Sequence, residues 1–237
     1  MTKKILIAVV ILAAIVIGGT GCAYRRYPVR SKSQVAIEEA LKHLEMKYGE
    51  PFTYVTIDEG APAGGREFLV SCDSLPEQHV WVQVEDVYST DRKIRDNYLA
   101  VKYRDQTVAY LQETVSSAYP NVNVFYEVRN KALSETLPVN ADFSEFLHNS
   151  GVELIAMLEL KASEFAGTEQ MDRIAEEIAE ACPYMALTVI VIEDEVYGTL
   201  DRTGLNDCIS AGKYVMRAKI YIQDGAVQVD WKGGQHE

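Results

Sequence analysis

The stretch of this sequence richest in side chains that bind cations is IEDEVYGTLDRTGLNDC, residues 192–208. Calcium takes about six to eight oxygen ligands, which a cluster of carboxylates can supply. The spacing here differs from that of an EF-hand loop, and a solvated loop between two strands explains the segment better. We therefore expect calcium to have little effect on stability. The candidate oxygen ligands are Glu193, Asp194, Glu195, Asp201, Asn206 and Asp207.

Three of the four cysteines lie in the body of the chain. Cys182 ends a predicted helix and Cys208 follows the next predicted strand, so these two can approach each other. They are the candidate pair for a disulfide, which an extracytoplasmic body would permit. Cys72, in a predicted strand, is then a free thiol. The alternative is that all three cysteines stay reduced and partly buried.

No other pattern in the sequence predicts catalysis or a bound cofactor. The chain contains no GxSxG, P-loop or GxGxxG motif, and no pair of His or Cys residues has the spacing of zinc ligands. Gly64 and Gly65, in APAGGRE, lack the lysine and hydroxyl residue of a phosphate-binding loop, and a hairpin turn explains them. We therefore expect a non-enzymatic protein without metal or cofactor. The scattered histidines are His43, His79, His148 and His236.

The N-terminal segment, residues 1–32, predicts attachment to a membrane. Residues 5–21, ILIAVVILAAIVIGGTG, are uncharged and almost wholly apolar. As a helix this run would measure about 25 Å, the short end for a membrane span. It also suits a secretory signal peptide that begins with Lys3 and Lys4. Positive charges flank both ends of the run, so the positive-inside rule barely discriminates between the two orientations of an uncut anchor.

The segment can be processed in two ways, cleavage before a lipidated Cys22 or retention as an uncut anchor, and the residues around Cys22 bear on the choice. In GGTGC it resembles the cysteine of a bacterial lipoprotein signal, which becomes a lipidated N-terminus. Gly19, however, stands where such signals usually carry leucine. The following residues suit a membrane collar, because tyrosines settle at headgroup depth and arginines are attracted to anionic lipid. The sequence favours an uncut anchor with an extracytoplasmic body, and lipidation of Cys22 stays open. The collar residues are Tyr24, Arg25, Arg26, Tyr27 and Arg30.

The body that follows is strongly acidic. Residues 1–32 hold six Lys or Arg and no acid, which leaves 17 basic against 35 acidic side chains and a formal charge of −18 beyond them. Phosphate backbones and anionic lipid surfaces repel such a body. We therefore expect no nucleic-acid partner, and expect the collar to contact the membrane while the body stands away from it.

Residues 33–129 predict a first domain in the order α-β-β-β-α-β. Ser31 and Gln34 form a capping-box pattern, and Gly49 with Pro51 ends the first helix. The alternating runs that follow are linked by short turns, which favours antiparallel pairing. The predicted strands are 52–57, 66–72, 79–85 and 121–128, and the predicted second helix is 94–117.

Residues 143–231 predict a second α+β domain, after a connection at 130–142 and before a tail at 232–237. Asp224-Gly225 is a strong signal for a hairpin turn within 213–231. We expect an α+β fold, with antiparallel sheets packed against helices in two small domains. The other predicted elements are a short helix at FSEFLHN, a strand at 152–162, a helix that begins near Thr168, and a strand at 186–194.

Two segments, EEALKHLEMKYGEPFTYVTI and DNYLAVKYRDQTVAYLQE, resemble membrane-anchored proteins of Gram-positive bacteria that open with one anchor and a helix ending in YGE. The resemblance covers residues 1 to about 130 and implies no activity and no site residue. The 14 tyrosines against six phenylalanines suit either a binding surface or half-buried positions in small sheets, and the second explanation is the simpler. Because the chain combines a membrane anchor with an acidic α+β body that lacks catalytic groups, we predict an extracytoplasmic, non-enzymatic module of the cell membrane that binds an envelope protein or peptide. The alternative is a ligand- or ion-binding sensor that uses the acidic loop 193–207.

Overall fold

The computed structural model describes residues 31–57, 66–86, 88–89, 91–128, 137–148 and 154–233. The predictions for Cys22 and for the collar, Tyr24 to Arg30, lie outside these residues. Among the helices of the described ranges, none combines the length and the apolar character needed to cross a membrane.

The fold is α+β and begins with a helix packed on an antiparallel sheet. The Ser31 hydroxyl accepts the Gln34 N–H and the Gln34 side chain accepts the Ser31 N–H, so the predicted capping box forms. Gly49, at φ 75°, ends the helix. Ala36, Ala40 and Leu44 are its buried residues. These elements are α1 (Lys32–Tyr48), β1 (Phe52–Ile57), β2 (Arg66–Cys72), β3 (Val80–Glu85) and β4 (Lys93–Asp96), with the strands in the order β1-β2-β3-β4.

The predicted helix 94–117 is wrong at its start. Lys93–Asp96 is strand β4, in which Ile94 pairs with Val84 of β3. The chain then forms α2 (Tyr98–Lys102) and α3 (Arg104–Ser116). The Asp96 carboxylate accepts the Tyr98 N–H at 3.1 Å, and this contact separates strand from helix. Ile94 fits the apolar stripe of a helix as well as the alternation of a strand, and only its pairing with β3 shows that this segment is a strand.

The second sheet has five strands in the order β5-β6-β7-β8-β9. The strand predicted at 121–128 for the first domain is β5, and it pairs with β6 in this sheet. β6 and β7 run parallel because α5 (Thr168–Ala181) crosses between them; the other neighbours are antiparallel. The strands are β5 (Asn123–Glu127), β6 (Leu154–Lys161), β7 (Tyr184–Ile192), β8 (Met216–Gln223) and β9 (Ala226–Gly233).

The predicted hairpin is confirmed. Asp224 and Gly225 join β8 to β9 at φ 52° and 75°, the backbone that a two-residue turn of this kind needs. The predicted short helix is also present, as α4 (Phe143–Leu147), which begins with a capping box between Asp142 and Glu145.

Helices cover both faces of the second sheet. On one face α3 and α5 pack together, and their core is continuous with the core beneath α1 in a single cluster of buried apolar residues. On the other face α6 (Arg202–Ala211) covers a smaller cluster that includes Met157, Ile190 and Leu205. The solvated loop predicted over residues 192–208 is therefore wrong where α6 lies.

Candidate functional site

The edge of the first sheet at β1 is the candidate site. In the described part of the chain β1 is paired on one side only, with β2. An edge strand of this kind presents unpaired N–H and C=O groups that can bind another strand. Five of its six residues, from Thr53 to Ile57, are exposed. Its large apolar side chains are unusually open, with Tyr54, Val55 and Ile57 exposed by 37, 39 and 43 %.

Charge distinguishes β1 from the other sheet edges of the described chain. No residue of β1 carries a charge. The opposite edge, β4, carries Lys93 and Arg95, and the outer strand β9 carries Asp230 and Lys232. Charged side chains at an edge discourage pairing with a further strand. β1 lacks that protection.

A β-bulge shapes the exposed edge. Tyr54 pairs with Val70 and Thr56 pairs with Leu69, so Val55 is an extra residue in β1. Ile57 pairs with Phe68, and both Phe68 and Val70 are buried in the core beneath α1. The bulge therefore places Tyr54 and Ile57 on the same face of the sheet as α1, although they lie three residues apart. It concentrates apolar surface along the edge.

A cluster of aromatic rings fixes the start of β1. The Tyr48 and Tyr98 rings stack with centroids 4.0 Å apart, and the Phe52 ring lies 6.0 Å from the first and 5.9 Å from the second. Tyr48 ends α1, Phe52 begins β1, and Tyr98 begins α2. The three rings thus join the strand to the two helices beside it.

Glu50, just before β1, is held by hydrogen bonds from two other elements. The Tyr98 hydroxyl donates to its Oε1 at 2.8 Å, and Ser74 donates from its hydroxyl at 2.5 Å and from its N–H at 3.1 Å. Partial burial would raise the pKa of Glu50, but these hydrogen bonds outweigh it and lower that pKa. Glu50 therefore stays ionised and keeps the start of β1 in place.

A second carboxylate, Asp96, completes this support. Its side chain is fully buried and accepts the Lys47 ammonium at 2.7 Å, the Tyr48 hydroxyl at 2.6 Å and the Tyr98 N–H at 3.1 Å. Burial and the adjacent Asp96 raise the pKa of Tyr48 far above its ordinary value, so this hydroxyl remains a donor. We call Tyr48, Glu50, Ser74, Asp96 and Tyr98, with Lys47 and Phe52, the β1 support cluster.

Cys72 lies beside this cluster and is a poor nucleophile. Its Sγ is 3.6 Å from the Ser74 Oγ, and burial raises the pKa of the thiol. A thiol of raised pKa holds little thiolate at neutral pH.

His79, seven residues beyond Cys72 in the chain, lines a recess of about 250 Å³ together with Glu77, Asn97 and Arg104. That recess is smaller than most ligand pockets, which measure roughly 300–1,000 Å³.

The acidic segment 193–207 uses its carboxylates to hold the fold. Asp201 caps α6 by accepting the Gly204 N–H at 2.8 Å, and Asp194 accepts the N–H and hydroxyl of Ser163. The fully buried Glu159 of β6 accepts the Gly198 N–H at 3.1 Å. Across the residues that the structure describes, no group of three or more His, Cys, Asp or Glu is arranged to hold a metal ion. Of the candidate calcium ligands, Asp201 therefore caps a helix and Asp194 anchors the chain at Ser163.

The predicted disulfide between Cys182 and Cys208 is absent, and both are free thiols. Cys182 ends α5 and belongs to the main core, whereas Cys208 lies on α6 and packs against the smaller cluster on the opposite face of the second sheet. The sheet separates the two thiols. Cys72 is also a free thiol.

Comparisons with known proteins add little to this geometry. No protein-family model matches the chain, and no curated protein matches it. Among solved structures, the chain is similar to a DUF5037 family protein from Ruminococcus gnavus ATCC 29149, with 15 % identity and a TM-score of 0.42 over 83 % of this chain and 94 % of that one. A likeness at that TM-score carries no argument about fold or function.

Proposed function

We propose that this protein is a non-enzymatic binding module, held at the outer face of the cell membrane by its N-terminal segment, which captures an extended protein or peptide segment as an added strand on β1. The observation that carries the proposal is the edge at β1, which is uncharged and apolar and, among the residues that the structure describes, is paired on one side only. Backbone hydrogen bonds supply affinity in strand addition, and the alternate side chains supply selectivity.

The support cluster favours binding without rearrangement. Rigidity in the bound conformation lowers the entropic cost of association. β1 is fixed at its start by the ring contacts of Phe52 and by the hydrogen bonds to Glu50. It is fixed along its length by pairing with β2. A ligand strand therefore meets a template that is already extended.

The membrane part of the proposal rests on the sequence. The apolar run 5–21 suits an anchor or a signal peptide, and the basic, tyrosine-rich collar suits the membrane interface. An uncut anchor predicts that Met1 to Gly21 remain in the membrane-bound protein and that Cys22→Ala leaves its retention unchanged. A mature chain that begins at Cys22, with a lipid label lost in Cys22→Ala, would show a lipoprotein instead.

The binding test uses the full-length chain in detergent micelles. Displayed random peptides of about eight residues, a typical strand length, are selected on it. Hydrogen exchange then locates the bound peptide. We expect the amides of β1 to exchange more slowly in the complex and those of β9, an outer strand of the second sheet, to be unchanged.

Two matched lysine substitutions sharpen the test. Val55→Lys places a charge at the bulge of β1, where edge lysines block pairing, and we expect it to weaken binding by about tenfold or more. Gln228→Lys makes a similar change at an exposed position of β9 and should leave binding unchanged. Protection of a region other than β1, or equal binding by both variants, would refute strand addition.

A further inference from the structure

We infer that the strand captured by β1 is amphipathic, with a bulky apolar side chain at every second position and polar side chains between them. This inference rests on the proposed function and names the class of partner. It is carried by an apolar groove that α1 and β1 form together, and by the polar character of the opposite face of the sheet at the same edge.

Two ion pairs show which flank of α1 lies toward β4. Glu39 pairs with Arg92, just before β4, and Lys47 pairs with Asp96, at the end of β4. The strand order is β1-β2-β3-β4, and α1 contacts β1 as well as β3. The flank of α1 that carries Glu39 therefore faces β4, and the opposite flank lies on the β1 side of the sheet.

That opposite flank is apolar where it meets the sheet. Successive residues of an α-helix are about 100° apart around its axis. Ile37 and Leu41 therefore lie on the other side of the buried Ala40 from Glu39. Both side chains are half-buried and pack against the core beneath α1. Part of their apolar surface remains open on the side of the sheet where β1 forms the edge.

α1 and β1 run in opposite directions, which brings this flank beside the open part of the strand. The Tyr48 ring at the end of α1 lies 6.0 Å from the Phe52 ring at the start of β1. The rise is about 1.5 Å per residue in a helix and about 3.3 Å in a strand. Ile37 and Ile57 are therefore each about 16 Å from this pair of rings, and Leu41 lies one helical turn nearer to it.

The strand contributes Tyr54 and Ile57, which lie on the face of the sheet that α1 covers. The Tyr54 ring is 6.0 Å from the ring of the buried Phe68, and Tyr54 and Ile57 are 37 and 43 % exposed. We call the surface between these two residues and the α1 flank the edge groove. Its four residues carry no charge, and a charged group buried there would lose its hydration without gaining a partner. A strand added to β1 therefore gains most by directing apolar side chains into the edge groove. Its residues are Ile37, Leu41, Tyr54 and Ile57.

The opposite face of the sheet is polar at this edge. Thr53 and Thr56 alternate with the residues that face α1, so their side chains point away from it, and both are exposed. Thr53 pairs with Ser71 of β2, and Thr56 pairs with the half-buried Leu69. Every second side chain of an added strand would lie beside these threonines and solvent. Polar residues suit those positions, since hydroxyl side chains stabilise each other across neighbouring strands.

A second copy of this chain is the rival occupant, because β1 itself has the required alternation in FTYVTI. Charge argues against it. Each chain carries a formal charge of −12, so two bodies paired edge to edge would repel each other. An uncharged amphipathic segment of another protein brings the same apolar side chains without that repulsion.

The test compares three synthetic peptides of about eight residues on the full-length chain in detergent micelles. The first alternates Ile with Thr, the second has the same residues in two blocks, and the third alternates Thr with Ser. Only the first can direct all of its isoleucines into the edge groove. One further apolar side chain buried there corresponds to about tenfold in affinity, so the first peptide should bind about tenfold more tightly than the second, and the third most weakly.

Hydrogen exchange and two substitutions show where the preference arises. We expect the first peptide to slow exchange in β1. Ile57→Thr keeps a β-branched residue but removes apolar surface from the edge groove, and Leu41→Gln does so from the α1 side. Each should weaken the first peptide by about fivefold and leave the third unchanged. Val227→Thr, at a half-buried position of β9, is the matched control and should leave all three affinities unchanged.

The possible results separate this inference from the proposed function. Equal binding of the first and second peptides, with protection of β1, would refute an amphipathic partner and leave strand addition intact. Unchanged affinity of the first peptide in both Ile57→Thr and Leu41→Gln would refute the edge groove in the same way. Protection of β1 by none of the peptides would refute both proposals. Protection of β1 in a dimer without peptide would show that a second copy is the occupant and would overturn the inference.

Discussion

Replacing Asp96 by asparagine should destabilise the support cluster of β1 by a predictable amount. The buried carboxylate accepts three donors, two of them at Oδ1 and the Lys47 ammonium at Oδ2. In Asp96→Asn the carbonyl oxygen can still accept from the Tyr48 hydroxyl and the Tyr98 N–H. The new amide group, however, faces the Lys47 ammonium, so a donor faces a donor.

The cost follows from the bond that is lost. A hydrogen bond to a charged group contributes about 1.5–3 kcal/mol, and Lys47, whose side chain is 27 % exposed, can recover some hydration. We therefore expect Asp96→Asn to lower the free energy of unfolding by about 1.5–2.5 kcal/mol. For a body of this size, that corresponds to a fall in Tm of roughly 3–10 °C.

Chemical denaturation of the full-length protein in detergent, followed by tryptophan fluorescence, measures this change. Asp230→Asn is the matched control, because Asp230 forms an exposed ion pair with Lys232 and should change stability by less than about 0.5 kcal/mol. Asp96→Ala should cost more than Asp96→Asn, since all three donors lose their acceptor. If Asp96→Asn is as stable as the wild type, or if Asp230→Asn is equally destabilising, the assigned role of Asp96 is wrong.

Three further predictions concern the second sheet. Glu159→Gln should lower the free energy of unfolding by about 1–3 kcal/mol, because the Glu159 carboxylate is fully buried and accepts hydrogen bonds from Asn123 and Gly198. Urea denaturation measures this change, and an unchanged midpoint of unfolding would contradict it. Cys208 should react with a thiol reagent well before Cys182, since burial raises the pKa of Cys182 from 9.0 to about 12. The contribution of this pKa shift to the free energy of unfolding is fully present below about pH 9 and is lost between about pH 9 and 12. The reason is that the Cys182 thiol ionises at a lower pH in the unfolded chain than in the folded one. Millimolar calcium should leave Tm unchanged, and a rise of many degrees that Asp201→Asn abolishes would restore the sensor hypothesis.

Features that depend on neighbours in the chain were predictable from sequence. The capping box of α1 needs only Ser31 and Gln34, and the β8–β9 turn needs only Asp224-Gly225. Strand alternation identified β1 to β3 for the same reason, because side chains two residues apart share a face. The general class, helices packed on mainly antiparallel sheets, follows from these local elements.

Elements that depend on distant partners were not predictable from sequence. The stretch 94–96 fits a helical stripe until it pairs with β3, and β5 joins the second sheet because β6 lies beside it. α6 lies in an acidic stretch that resembles a solvated loop in sequence. In the structure Asp201 caps this helix and Asp194 binds Ser163, which is distant in the chain. Cys182 and Cys208 appeared close along the chain, yet a sheet separates them.

The candidate site shows the same division. The sequence identified FTYVTI as a strand from its alternation and its β-branched and aromatic residues. It contained no information that this strand lies at an edge, since that depends on which strands the whole chain brings to its two sides. Only the tertiary structure shows that, among the residues it describes, β1 pairs with β2 on one side and with no strand on the other, because the order of strands in a sheet depends on contacts between distant parts of the chain.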